Sequence, residues 1–358
     1  MPDEFCPIID CDIHPYATRE HPIEDFVPEE FREALRMGMG SGRGAGYTNP
    51  FGVTRRDARC EDATAMAGEH LDKYGITYGI LQPPGMSVSL SNNIDVGSGL
   101  ATAWNDWQIE RWLKVDSRIL GSICINMNDP QAAIKEINRV AHHPQMVQAN
   151  TTGESRDLYG HRGYFPIYEA LNALEIPLCL HPGSEGSLRT STPVGKPSSY
   201  FEWHTGIPLT FMAQLISIVA EGVFEKFPKL KLILCEGGIS WLSHVMWRMD
   251  KNFKALRATT PWLKRLPSEY IIDHVRVTTQ PMEECESDDQ TLEMLGMIHA
   301  EKTLCFATDF PHWDFDAPDF VLPRKTPDAL KRRILYENAA ELYGLPKISE
   351  LPKPELVK

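Results

Sequence analysis

The chain of 358 residues carries 36 Lys and Arg against 49 Asp and Glu, a formal charge of −13, and 42% of it is hydrophobic, the composition of an ordinary soluble globular protein. The acidic excess, spread along the sequence, argues against nucleic acid and anionic membrane as partners. No apolar run approaches the ~20 residues of a membrane helix, and MPDEFCPIIDCD lacks a basic n-region and an apolar h-region, so the expected location is the cytoplasm.

In chain order, short apolar runs alternate with longer helical stretches. PIIDCDIH (7–14) reads as the first strand. A long connection, residues 15–77, follows it and includes the glycine-rich MGMGSGRGAGYTNPFG (37–52), which lacks the GxxxxGK[ST] order of a phosphate loop and reads as a lid. YGILQPP (78–84) is the second strand, ATAWNDWQIERWLKV (101–115) a helix, ILGSICINM (119–127) the third strand and PQAAIKEINRVAHH (130–143) a helix. QMVQANTT (145–152), the helix YFPIYEALNALE (164–175) and the strand IPLCLHPG (176–183) come next. A second long connection, residues 184–209, precedes the helix TFMAQLISIVAEGVFEKF (210–227). LKLILCEGG (230–238), HVRVTTQP (274–281) and TLCFATDFPH (303–312) complete eight strands, and PDALKRRILYENAAELYG (327–344) is the closing helix. Eight strands in alternation with helices predict a (β/α)8 TIM barrel. It occupies residues 1–345 as a single domain, with lid loops after strands one and five and a Pro-broken tail, 346–358, that packs on a neighbour or stays loose. Eight cysteines without a CxxC pair, five of them inside apolar runs, read as buried free thiols.

The polar residues collect where those strands end. Asp12 and His14 are two apart on the first strand, so alternation points both to one side of the wall. His181 ends the fifth strand, Glu236 the sixth and Asp309 the eighth. Singly each has a structural reading, such as a core histidine or a helix cap. Together they are five hard or borderline ligands at the carboxyl ends of barrel strands, where unpaired buried charge is expensive, and they point to a divalent metal.

The DxH opening, the strand-end HPG, the small-residue turn after strand six, ATDFPH and the closing ENAAELYGL together resemble the metal-dependent amidohydrolase superfamily. The nearest branch is the amidohydrolase-related group that includes aminocarboxymuconate-semialdehyde decarboxylase and the resorcylate decarboxylases. The resemblance implies that His14, His181 and Asp309 bind metal, with Asp12 standing where the family has His or Glu. It also implies a homodimer. QMVQANTT has no lysine for a carbamate bridge. At strand six the decarboxylases have a histidine where this chain has Glu236, and a carboxylate there is expected to ligate or bridge.

If Glu236 bridges, a second ion needs another nitrogen ligand, and His204 in SSYFEWHTGIP is the nearest in sequence. The expected centre therefore holds two divalent ions, Fe, Zn or Mn, bound by Asp12, His14, His181, His204, Glu236 and Asp309. Within the superfamily that arrangement is similar to the diiron acyl-CoA thioester hydrolase of platensimycin-type diterpenoid biosynthesis. The expected reaction is hydrolysis: metal-activated water attacks a carbonyl while Asp309 or Glu236 accepts its proton. Phe201, Trp203 and His312 would meet a small-molecule substrate, with Tyr47, Phe51 and Tyr200 adding contact for a bulky acyl group. Arg43, Arg55, Arg56, Arg189 and Lys196 would supply cations for an acyl-CoA thioester. Non-oxidative decarboxylation of an aromatic or muconate-like acid is the alternative.

Overall fold

A computed structural model describes residues 6–20, 22–36, 60–183, 192 and 194–352. Its eight strands are β1 (Ile8–Ile13), β2 (Ile76–Leu81), β3 (Ile119–Cys124), β4 (Met146–Thr152), β5 (Leu178–His181), β6 (Leu232–Leu234), β7 (Val275–Thr278) and β8 (Leu304–Cys305). They pair in sequence order, all parallel. Across the remaining seam Cys11 N donates to Phe306 O at 3.0 Å and His14 N to Phe310 O at 2.8 Å, which closes the (β/α)8 barrel. Buried on both faces, these strands read as continuous apolar runs, which is why they were visible in the sequence.

The barrel interior is filled by Ile9, Cys11, Ile80, Leu120, Val147, Cys179, Ile233, Cys235 and Cys305. Gln82 spans it, with Nε2 donating to Cys11 O at 3.2 Å and lying 3.4 Å from Cys179 Sγ, and forms a polar floor under the strand ends. All eight cysteines are free. The predicted helices appear as Ile94–Gln108, Pro130–Val140, Phe165–Leu174, Pro208–Ala220 and a closing run from Asp328 to Tyr343. Tyr200–Ala220 is long and apolar enough to cross a membrane by length and composition alone, but its Ile207, Phe211, Leu215 and Ile218 pack into the core.

The described part of the tail, up to residue 352, meets its own barrel. Tyr336 OH donates to Pro346 O at 2.7 Å, and Leu345, Ile348 and Leu351 pack on the interior cluster of their own barrel. Of the first expected lid, Glu29–Arg36 is helical and Ala63–Met66 leads into a helical turn, Ala67–Asp72; of the second, Tyr200–Thr205 is helical. The glycine-rich 37–52 stretch, with Arg43, Tyr47 and Phe51, lies outside the described residues, as do Arg55, Arg56 and Arg189.

Candidate metal centre

β1 does not keep one phase of alternation. Ile9 and Cys11 point into the barrel, so strict alternation would turn Asp12 outward. The pairing with β2 shifts between Asp10 and Ile13, where Asp10 faces Gly79 and Ile13 faces Leu81, three steps against two. This bulge re-aims the following residues: Ile13 joins the outer core while Asp12 and His14 meet His181 at the mouth. The expectation that Asp12 and His14 share a side holds geometrically, but through a bulge that the spacing does not reveal.

Three overlapping groups of ligand atoms result. Asp12, His14, His181 and Glu236 form the first, His14, Asp309 and His312 the second, and His204, Glu236 and Asp314 the third. His14 Nε2 lies 3.1 Å from Asp12 Oδ1 and 2.9 Å from Asp309 Oδ1. His181 Nε2 lies 3.3 Å from Asp12 Oδ2 and 3.2 Å from Glu236 Oε2, and its Nδ1 is 2.6 Å from Pro182 O, the acceptor that orients the ring. His204 Nε2 is 3.8 Å from Glu236 Oε1 and 3.3 Å from Asp314 Oδ2. Glu236 thus stands between the two halves of the site.

Local backbone holds these carboxylates in a costly shape. Glu236 has φ 58° and Asp309 φ 59°, in the left-handed region, where a non-glycine residue costs ~1–2 kcal/mol. Glu236 N donates to Thr278 Oγ1 at 3.1 Å, which ties its turn to β7. His204 sits on the short helix Tyr200–Thr205, capped reciprocally by Ser199 and Glu202. The Tyr200 ring stacks on His204 at 5.5 Å, and Trp313 Nε1 donates to Tyr200 OH at 3.3 Å.

The electrostatics call for a cation. Burial, then the charges of Asp12, Asp314 and Asp10, push the Asp309 carboxyl well above the usual range. Burial also opposes ionisation of Asp12, but the charges of His181 and His14 outweigh it and hold Asp12 below the usual range. Burial, then neighbouring His14, lowers His312. Asp12 Oδ1, His14 Nε2, both Asp309 oxygens and Asp314 Oδ2 are buried without a hydrogen bond, although they crowd together. Converging lone pairs on two imidazoles and several carboxylates fit a hard or borderline divalent ion.

A family model for amidohydrolases matches residues 9–345. The chain belongs to the amidohydrolase family. It is 26% identical over 292 residues to the gamma-resorcylate decarboxylase of Polaromonas sp. (strain JS666 / ATCC BAA-500), covering 77% of this chain and 85% of that protein. It is 24% identical to the 2-amino-3-carboxymuconate-6-semialdehyde decarboxylase of Dictyostelium discoideum over 64% of this chain and 62% of that one. The crystal structure of a dihydroxybenzoic acid decarboxylase from Polaromonas sp. JS666, with bound manganese and the inhibitor 2-nitroresorcinol, superposes with a TM-score of 0.68 at 22% identity, over 95% of this chain and 97% of that one. At that identity the superposition speaks for the fold. The relatives correct the leading expectation: hydrolysis of an acyl-CoA thioester gives way to decarboxylation, because the similar proteins are decarboxylases.

The expected residues are distributed as follows. The structure gathers Asp12, His14, His181, His204, Glu236 and Asp309 at one mouth, and His312 beside them, its Nδ1 2.6 Å from Asp309 Oδ1 and its ring stacked on His14 at 4.0 Å. Trp203 packs by Tyr200 and His204. Phe201 is turned away: it is 79% exposed and lines a surface groove with Val194, Lys196 and Leu209. Two residues were missed. Asp314 follows His312 by two positions in PHWDFD, and an acid directly after the TDFPH motif was the available signal. Tyr16, just past His14, meets His312 Nε2 at 2.9 Å, and nothing in its spacing marks it.

Proposed function

We propose that this protein is a metal-dependent carboxy-lyase that removes carbon dioxide from an aromatic carboxylic acid without oxidation. The observation that carries the reading is the buried group of unpartnered ligand atoms at the strand ends, in a chain whose similar proteins are decarboxylases acting, by name, on gamma-resorcylate and on a carboxymuconate semialdehyde. Asp12, His14, His181 and Asp309 would hold one ion, and His204, Glu236 and Asp314 a second, with Glu236 between them. Manganese, bound in the Polaromonas structure, is the preferred metal. A divalent ion there would neutralise the crowded carboxylates and draw the substrate's carboxylate and phenolic oxygens.

The chain's own residues do the rest. Tyr200, Trp203 and Trp313 offer aromatic faces around His204 for a planar acid. Decarboxylation breaks the bond from the ring to the carboxyl group and leaves its electron pair on the ring carbon, which must take a proton. His312, whose Nδ1 lies 2.6 Å from Asp309 Oδ1, would deliver that proton at the mouth, and Tyr16 OH on His312 Nε2 fixes its ring. With Glu236 in place of a strand-six histidine, His312 is the proton source.

The test is incubation of manganese-loaded protein with 2,6-dihydroxybenzoate, 5-carboxyvanillate and related carboxylated phenols, with carbon dioxide and the decarboxylated phenol both measured. Stoichiometric release of the two from at least one acid, and loss of release in His312→Ala, are expected. No carbon dioxide from any acid in the panel would refute the reading.

A further inference from the structure

Asp10 lies two residues before Asp12 and takes no part in the ligand groups. It is fully buried, and four donors converge on its two oxygens. Oδ1 accepts from Asp12 N at 3.1 Å and Thr308 N at 2.9 Å. Oδ2 accepts from Thr308 Oγ1 at 2.6 Å and from His70 Nε2 at 2.7 Å. A carboxylate only accepts, so Nε2 of His70 carries the proton. The donors belong to three stretches that are distant in sequence: the bulge of β1, the turn after β8 and the helical turn Ala67–Asp72. The His70 ring also stacks on Phe310 at 4.2 Å and 17°.

Each of these contacts ends beside a ligand-bearing residue. Asp309 is flanked by Thr308, which Asp10 holds, and by Phe310, on which His70 lies. Asp12 is held through its own N–H, within the bulge that turns it toward the mouth. A left-handed aspartate after a strand of two residues persists only where its surroundings over-determine it. A buried carboxylate is a weak device for stability alone. We propose that Asp10 and His70 form a positioning pair for the metal centre, clamping Asp12 and Asp309 into ligating positions across the seam where β1 meets β8. The inference rests on the metal reading above and not on the identity of the substrate.

The experiment is a manganese titration of metal-free protein, with free Mn2+ followed by its electron paramagnetic resonance signal and melting recorded in parallel. Asp10→Asn and His70→Ala should bind Mn2+ 10–100-fold more weakly than wild type, the effect typical of groups that orient metal ligands. Ile137→Ala, a fully buried residue of the distant helix Pro130–Val140, should lower the melting temperature and leave Mn2+ affinity within twofold. Affinity within threefold of wild type in folded Asp10→Asn, or an equal loss in Ile137→Ala, overturns the clamp. Should Asp10→Asn fail to fold, His70→Phe decides, since it keeps a ring against Phe310 and removes the donor; unchanged affinity there overturns the proposal. Because the readout is ion binding, failure to decarboxylate a given acid does not enter it. A wild-type chain that binds no Mn2+ overturns the metal reading and the clamp together.

Discussion

Gly237, the residue after Glu236, gives the sharpest mechanical test of the site. A Cβ at this position would lie 2.1 Å from Phe211 Cδ2 and 2.3 Å from Cε2, whereas carbon atoms in contact sit ~3.5–4.0 Å apart. The ring cannot yield, because it is fully buried and its opposite edge faces Gly153, where a Cβ would come within 2.9 Å of Phe211 Cε1. Gly237→Ala must therefore move either the helix Pro208–Ala220 or the turn that carries Glu236 by more than ~1 Å. Overpacking of this kind costs ~1–3 kcal/mol. At ~2.1 cal/mol/K of unfolding entropy per residue, a chain of this length loses roughly 1–4 °C in melting temperature. The function should suffer more than the fold, since a displacement near 1 Å of a site carboxylate costs on the order of 100-fold in rate. Scanning fluorimetry and the carbon dioxide assay measure the two effects. Adding Phe211→Leu removes the colliding ring atoms, so the double variant should be less destabilised than the sum of the two singles, with a coupling of ~1 kcal/mol or more. Strict additivity, or a Gly237→Ala protein with wild-type melting and wild-type rate, would refute the steric argument.

His14 is shared by two of the overlapping groups and Asp309 stands beside it in one of them, so His14→Ala and Asp309→Ala should each lose Mn2+ uptake by elemental analysis and at least ~1000-fold of turnover. His204→Ala and Asp314→Asn should take up one equivalent of metal where the wild type takes up two; equal uptake in all three proteins would exclude these residues as ligands. Stability should also respond to His274, whose pKa is lowered to about 4, first by burial and against the pull of its Nδ1 bond to Leu230 O. The unfolded chain gains this proton near pH 6.5 and the folded chain does not until about 4, so the contribution is complete above pH 6.5 and is lost as pH falls through that window. It amounts to ~3 kcal/mol at neutral pH. In urea unfolding of metal-free protein, His274→Gln should show a shallower fall in stability between pH 7 and 4.5 than wild type; parallel slopes would dispose of the assignment.

The barrel and the position of its chemistry were legible because both are local signals. A strand buried on two faces must be apolar along its length, and functional residues in a (β/α)8 barrel sit where such runs end, so PIIDCDIH, IPLCLHPG, LKLILCEGG and TLCFATDFPH announce strand and candidate ligand together. Spacing could not show that β1 breaks its alternation, that Asp10 and His70 grip the turn bearing Asp309, or that Asp314 joins His204. Those contacts span 60 residues from Asp10 to His70 and 298 from Asp10 to Thr308. Nor could the donor set choose the reaction, because imidazoles and carboxylates around a divalent ion serve hydrolysis and decarboxylation alike; kinship to decarboxylases corrected that expectation. Sequence by itself determined which residues carry lone pairs and which element each one ends. Only the closed barrel decided which of them meet, since that depends on the bulge in β1, the left-handed turns at Glu236 and Asp309 and the seam between β1 and β8, features set by packing between segments far apart in the chain.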